Sequence, residues 1–220
     1  MSDQYCVIFD MDGVLADTGP IHFESWVKMA AEIGVKFTRD LFEETFGQQS
    51  PTITRKLVGA DVDEDLVEKW ASLKEKYYRE MVKEKLEPLP GVVRIIKELK
   101  TEGFKLAIGS SGPLENVELL LSRLNIKPFF DVIITAADIK KGKPEPDVFL
   151  TAAKKLDIIP KNCIVIEDAP VGLEAAKRAG MISIALTTTH NKAELIGANL
   201  IIKDPTEISI RDIKNLFELS

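Results

Sequence analysis

The run Val7-Ile8-Phe9-Asp10-Met11-Asp12-Gly13-Val14-Leu15 constrains this chain more than any other. It opens with a continuous apolar stretch, which predicts a strand over Tyr5 to Phe9, covered on both faces in a parallel sheet. Asp10 and Asp12 fall where that strand ends, and Gly13 permits a sharp turn just beyond them. In open α/β sheets the carboxyl ends of the strands surround the ligand crevice. Carboxylates buried there need a metal ion or hydrogen bonds to compensate them. An acidic turn would carry the same two residues, so the other strand ends have to decide between the readings.

After Leu15 the periodicity becomes helical and stays so to about Glu87. Ile21, Phe23, Trp26, Val27, Ala30 and Ile33 recur at helical spacing before Gly34. Thr38 is placed to cap a second helix, and Ser50-Pro51 reads as the cap and first residue of a third. Asp63 to about Lys85 predicts a longer charged helix with Leu66, Val67, Trp70, Leu73, Tyr77 and Met81 towards one face. Helices without an intervening strand predict a small bundle inserted after the first strand.

Pro88-Leu89-Pro90-Gly91 closes that insertion, and helices then alternate with strands expected at 104–108, 131–135, 163–166 and 181–186. A short strand near 200–202 and a helix from Ser209 to Leu219 follow. Alternation of this kind implies parallel βαβ units with right-handed crossovers. The expected fold is therefore α/β: a doubly wound, parallel-sheet (Rossmann-like) core over residues 1–16 and 88–220, with a helical-bundle cap over residues 17–87.

The remaining bounds are simple. A chain of 220 residues with 45% hydrophobic and 29% charged residues matches an ordinary globular protein. A net charge of −6 argues against a nucleic-acid surface, while an anionic small ligand stays open because a bound cation can supply local positive charge. No apolar stretch nears the ~18 residues of a membrane span, and the N-terminus lacks a basic start followed by an apolar signal core, so a cytoplasmic protein is expected. The acidic, mixed composition gives no reason for obligate assembly, so a monomer is expected. Cys6 and Cys163 fall in expected strands and read as reduced core thiols.

Three later strand ends or loops carry groups suited to a phosphate. Gly109-Ser110-Ser111-Gly112-Pro113 opens onto a helix, where hydroxyls and backbone N–H groups bind anions, although such a run is also a common loop. Prolines stiffen the loop around Lys143, which is either a phosphate-neutralising cation or a surface lysine. Glu167-Asp168 is a second acidic pair, fit for metal binding or for capping the next helix. Taken together they fit phosphoryl chemistry. A carboxylate attacks phosphorus only if a cation screens the repulsion between anions, and Mg²⁺ favours the oxygen ligands that Asp10 and Asp168 offer. A second carboxylate can protonate the leaving oxygen and then activate water.

Asp10-Met-Asp12-Gly13-Val14-Leu15, Gly109-Ser110-Ser111, Lys143-Pro144 and Glu167-Asp168, in this order, resemble the motifs of the haloacid dehalogenase-like hydrolase superfamily. The stretch Phe9 to Thr18 is similar to its phosphatase and β-phosphoglucomutase-like branch. The resemblance implies that Asp10 is the nucleophile forming an aspartyl-phosphate and Asp12 the general acid/base. It implies Mg²⁺ held by the Asp10 side chain, the Asp12 backbone carbonyl and Asp168, with Glu167 nearby or acting through water. Ser110, Ser111 and Lys143 would bind the transferring phosphoryl group. Asp12 sets the chain apart from the true dehalogenases, which lack that residue. The expected activity is a Mg²⁺-dependent phosphatase acting on a small phosphorylated metabolite.

A sugar-phosphate mutase is the alternative. His22 sits at the spacing of the mutase hinge histidine, and Lys74 falls near a lysine that the mutase cap presents to substrate, though in a charged helix it reads first as solvated. The mutase cap loop carries a phosphate-binding Arg after its Gly, whereas here Gly47 leads into Gln48-Gln49-Ser50-Pro51 and the nearest arginine is Arg55. Gln48, Gln49, Ser50, Arg55, Lys74 and His22 are the expected cap-side contacts. A phosphoryl-accepting switch without turnover, like a receiver module, would need neither the insertion nor Asp12.

Overall fold

Strand β1, Cys6–Phe9, lies inside a six-stranded parallel sheet. The computed structural model describes residues 4–84 and 86–218. Four helices follow β1: α1 Gly19–Glu32, α2 Arg39–Thr45, α3 Ser50–Val58 and α4 Glu64–Glu84. The chain then alternates through α5 Val92–Thr101, β2 Lys105–Gly109, α6 Leu114–Arg123, β3 Val132–Ile134 and α7 Asp147–Leu156. It closes with β4 Cys163–Glu167, α8 Pro170–Arg178, β5 Ile182–Leu186, β6 Leu200–Ile202 and α9 Ile210–Glu218. These elements match the expected ones to within one or two residues. Lys85 and Leu219, the far ends of two expected helices, lie outside the described residues.

The sheet is sandwiched, which is why its strands read as unbroken apolar runs. Val7, Phe9, Leu106, Ile108, Ile164 and Ile166 point into one layer with α5, α6 and α9. Cys6, Ile8, Ala107 and Val165 point into the other with α7 and α8. β1 pairs with β2 on one side and β4 on the other, with Phe9 opposite both Ile108 and Ile166. In the strand order β3-β2-β1-β4-β5-β6 the connections run outward from β1 in opposite directions, so the β1–β4 crevice is the topological switch point where ligands bind in such sheets. Asp10 and Asp168 each lie just past the end of one of those strands.

Cys6 and Cys163 are in register on β1 and β4, both buried and free, with Cys6 Sγ 2.7 Å from Cys163 Sγ. They are core thiols, as expected. No helix among the described residues is long and apolar enough to cross a membrane.

The inserted helices have their own apolar cluster around Trp26, Met29, Phe37, Phe42, Phe46 and Tyr77. Trp26 stacks on Phe37 at 5.2 Å between ring centres. Thr38 caps α2 by accepting the Leu41 N–H, as its position predicts. The expected Ser50 cap is corrected: Gln49 occupies the cap position of α3, Ser50 is the first helical residue, and its hydroxyl donates to Glu75 across the bundle.

Candidate active site

Asp10, at the end of β1, and Asp168, after β4, meet Glu167 at the switch point. One oxygen from each lies within 4.8 Å of the others, and all three residues are buried. Lys143, buried on the loop before α7, donates to Asp10 Oδ1 and Glu167 Oε1, both at 2.6 Å. The other Glu167 oxygen accepts the N–H groups of Asp168 and Ala169, each at 2.8 Å. Glu167 is therefore committed to the lysine and to the β4 turn. Asp168 does not cap α8; that position belongs to Ala169.

Two glycines make room for the cluster. Gly13 adopts φ +73°, and a Cβ there would stand 1.9 Å from Asp168 Oδ2. A Cβ on Gly172 would stand 1.7 Å from Glu167 Oε1. Thr189, just past β5, donates its hydroxyl to Asp168 Oδ2, and Thr188 donates to the Gly13 carbonyl at 2.6 Å. The sequence reading missed both threonines. Their signal was the polar run after Leu186, at the same sheet edge as Asp10 and Asp168.

Three buried carboxylates around one ammonium leave an excess of negative charge. Burial pushes the Asp10 carboxyl up; Lys143 opposes this and Glu167 adds to it, leaving it at about 7. Asp168 is held well above its ordinary value by burial, then by Glu167 and Asp10. A cluster of this kind could hold a metal ion, whose charge would offset the repulsion.

Asp12 lies in a different environment. Burial alone would raise it, but His22, the Thr18 hydroxyl and Lys74 bring it down to about 2. Thr18 donates to Asp12 Oδ1 at 2.7 Å and Tyr78 at 3.0 Å. His22 Nε2 lies 2.9 Å from the same oxygen, off the line of a good hydrogen bond. Tyr78 also stacks on the His22 ring at 4.1 Å, a role that only its i, i+4 spacing from Lys74 hints at.

Lys74 is corrected. It is 2% exposed rather than solvated, with Nζ 2.7 Å from His22 Nδ1 and donating at 3.0 Å to Glu75 Oε1. Because an ammonium can only donate, His22 Nδ1 accepts, and its Nε2–H faces Asp12.

The space between Asp10, Asp12 and the inserted helices is a cavity of about 40 Å³, reached by His22, Gln48, Ser50, Lys74, Ser111 and Asn116 among others. It holds a few waters at most, so the helices are closed over the crevice. The loop at Gly47 approaches Ala169 and Val171, and Gln49 lies against Gly142 beside Lys143. Ser111 Oγ is buried without a partner, while Ser110 Oγ accepts the Gly112 N–H at 3.0 Å. Arg55 does not line this cavity. Its guanidinium donates to the Ala60 and Val62 carbonyls and pairs with Glu64, tying the end of α3 to the start of α4.

The sequence profile of the haloacid dehalogenase-like hydrolases matches residues 7–186. The chain is 35% identical over 212 residues to a β-phosphoglucomutase of Bacillus subtilis, covering 93% of this chain and 91% of the relative. It is 32% identical over 209 residues to a phosphorylated carbohydrates phosphatase of Thermotoga maritima, covering 92% and 95%. The crystal structure of a β-phosphoglucomutase from Clostridium difficile superposes with a TM-score of 0.91 at 28% identity, covering 98% of each chain. With the profile spanning most of its length, including both acidic pairs, the chain belongs to the haloacid dehalogenase-like hydrolase family.

Proposed function

We propose that this enzyme is a Mg²⁺-dependent phosphatase of small phosphorylated metabolites, with residues 17–87 acting as a cap over the crevice. The observation that carries the reading is the pairing of two carboxylates in opposed environments at one sheet edge. Asp10 contacts Lys143 in a buried acidic cluster, and Asp12 is bound to the inserted helices through Thr18, Tyr78 and His22.

In this reading an Asp10 oxygen attacks phosphorus as the ester P–O bond breaks, giving an aspartyl-phosphate and a departing alkoxide. Asp12 gives that alkoxide a proton. Because Asp12 is held low, its proton has to be delivered: His22 passes Nε2–H to the Asp12 oxygen as its Nδ1 takes a proton from the Lys74 ammonium, and the proton later taken from water returns by the same route. Water then attacks phosphorus, losing its proton to Asp12, and orthophosphate leaves with the Asp10 carboxylate restored. Lys143 and the unpartnered Ser111 hydroxyl hold phosphoryl oxygens, and cap closure keeps bulk water out until the alcohol has left. The all-oxygen set Asp10 and Asp168, backed by Glu167 and with the Asp12 carbonyl as a further donor, suits Mg²⁺, which would neutralise charge on the transferring group.

The His22–Lys74 pair also suits a mutase, which must return a phosphoryl group from Asp10 to a sugar hydroxyl. The test is to incubate the protein with Mg²⁺ and β-glucose 1-phosphate, following both products. Release of inorganic phosphate supports the phosphatase. Accumulation of glucose 6-phosphate with little free phosphate makes the enzyme a mutase.

A further inference from the structure

The cap wall of the cavity over Asp10 and Asp12 holds a further carboxylate, Glu75. Glu75 is 7% exposed and pinned on three sides. Its Oε1 accepts from Lys74 at 3.0 Å and from the Ser50 hydroxyl, and its Oε2 accepts from Asn116 Nδ2 at 2.5 Å. Asn116 belongs to α6 of the core, and its side-chain oxygen accepts from Arg79 at 2.9 Å. Ser50, Glu75, Asn116 and Arg79 thus form one chain of bonds from cap to core, with the carboxylate at its centre.

The cap-side charge is already balanced. Lys74 is the one ammonium or guanidinium reaching the cavity among the described residues, and it is engaged by His22 and Glu75. Outside the cavity lies a vestibule of about 660 Å³ between cap and core, sharing Ser50, Glu75 and Ser111 with it. Its walls carry Glu68, Glu75 and Glu115 against the single cation Arg79. A second phosphate or carboxylate on a substrate would meet three carboxylates, with Lys74 already paired to Glu75 and Arg79 held by the Asn116 side-chain oxygen. Hydroxyl groups would find an acceptor in Glu75 Oε2, which takes only the Asn116 bond, and a further polar partner in the Gln48 amide. The apolar part of the wall is Trp26, Phe42, Phe46 and Ile53, surfaces for the C–H face of a sugar-sized chain.

We propose that Glu75, fixed by Ser50, Lys74 and Asn116, is a specificity-determining residue that selects monophosphates of neutral, hydroxylated alcohols and rejects substrates bearing a second anionic group. The proposal rests on the phosphatase reading for which end of the ligand enters first. Juxtaposed like charges in a desolvated site disfavour binding by on the order of 100-fold.

The test is calorimetric titration of the Mg²⁺-loaded Asp10→Asn protein, in which ligands persist, with fructose 1-phosphate and fructose 1,6-bisphosphate. The monophosphate should bind about 100-fold more tightly. Adding Glu75→Gln should narrow that gap at least tenfold by tightening the bisphosphate, and adding Ser50→Arg should do so with Glu75 intact. Equal binding of the two ligands, binding of neither at millimolar concentration, or a gap unmoved by either folded double variant overturns the proposal. Turnover by the wild-type enzyme separates it from the underlying reading. Selective binding without phosphate release leaves Glu75 standing and removes the phosphatase, whereas release of phosphate from both esters at equal rates does the reverse.

Discussion

The methyl group that Gly172 lacks would stand 1.7 Å from Glu167 Oε1, inside the carboxylate itself. Gly172 lies in the first turn of α8, and Glu167 is the last residue of β4, holding Lys143 at 2.6 Å. The helix start and Lys143 are thus linked through one absent side chain. Gly172→Ala should displace Glu167 and Lys143, lowering phosphate release on the order of 100-fold and stability by about 1–3 kcal/mol. Gly197→Ala, with nothing within 4 Å, is the matched control for the same measurements.

Lys143 is the one cation among Asp10, Glu167 and Asp168 in the described cluster. Lys143→Met keeps the stem and removes the charge. Phosphate release should fall at least on the order of 1000-fold, and thermal unfolding should report a loss of about 3–5 kcal/mol from the uncompensated carboxylates.

Asn116 joins the core to the cap through Glu75 and Arg79. Asn116→Ala leaves the buried Glu75 Oε2 without its donor and the half-buried Arg79 without that acceptor, with an expected destabilisation of about 1–3 kcal/mol. Because the link crosses the crevice, steady-state kinetics should show KM rising more than kcat falls.

Burial alone would raise Glu75, but Lys74, His22 and the Ser50 hydroxyl hold it below its ordinary value of 4.5. A lowered carboxylate binds fewer protons folded than unfolded, so its contribution is fully present above pH 4.5 and is lost as pH falls below that. Glu75→Gln should therefore flatten the fall in melting temperature on acidification below that pH. An unchanged acid slope would mean that Glu75 does not couple to folding.

Much of the sheet edge was legible in the sequence because each chemical group there follows a continuous apolar strand. Asp10, Ser110-Ser111, Lys143 and Glu167-Asp168 stand at strand ends and in a stiff loop; each has a bland reading alone, and their combination and order along the chain carry the site. The cap wall was not legible for a physical reason. Lys74 and Glu75 are consecutive charges in a long helix, and their partners His22, Ser50 and Asn116 come from three other helices. Nothing local distinguishes such a pair from a solvated face. Arg55 misleads in the opposite direction: as the nearest arginine after the cap-loop glycine it invites a substrate role, yet it binds its own turn. Arg55→Ala should cost about 1 kcal/mol and leave the substrate profile unchanged. The roles of Gly172 and Thr189 depend on which strands are neighbours, which only the fold reveals.

The most direct test of the account is steady-state release of inorganic phosphate from a panel of sugar monophosphates, with and without Mg²⁺, by the wild-type and Asp10→Asn proteins. Sustained release by the wild type, dependent on Mg²⁺ and abolished in Asp10→Asn, is the predicted result. Full activity in Asp10→Asn, or release indifferent to the metal, would contradict the assignment of Asp10 as the nucleophile in a metal-assisted phosphatase.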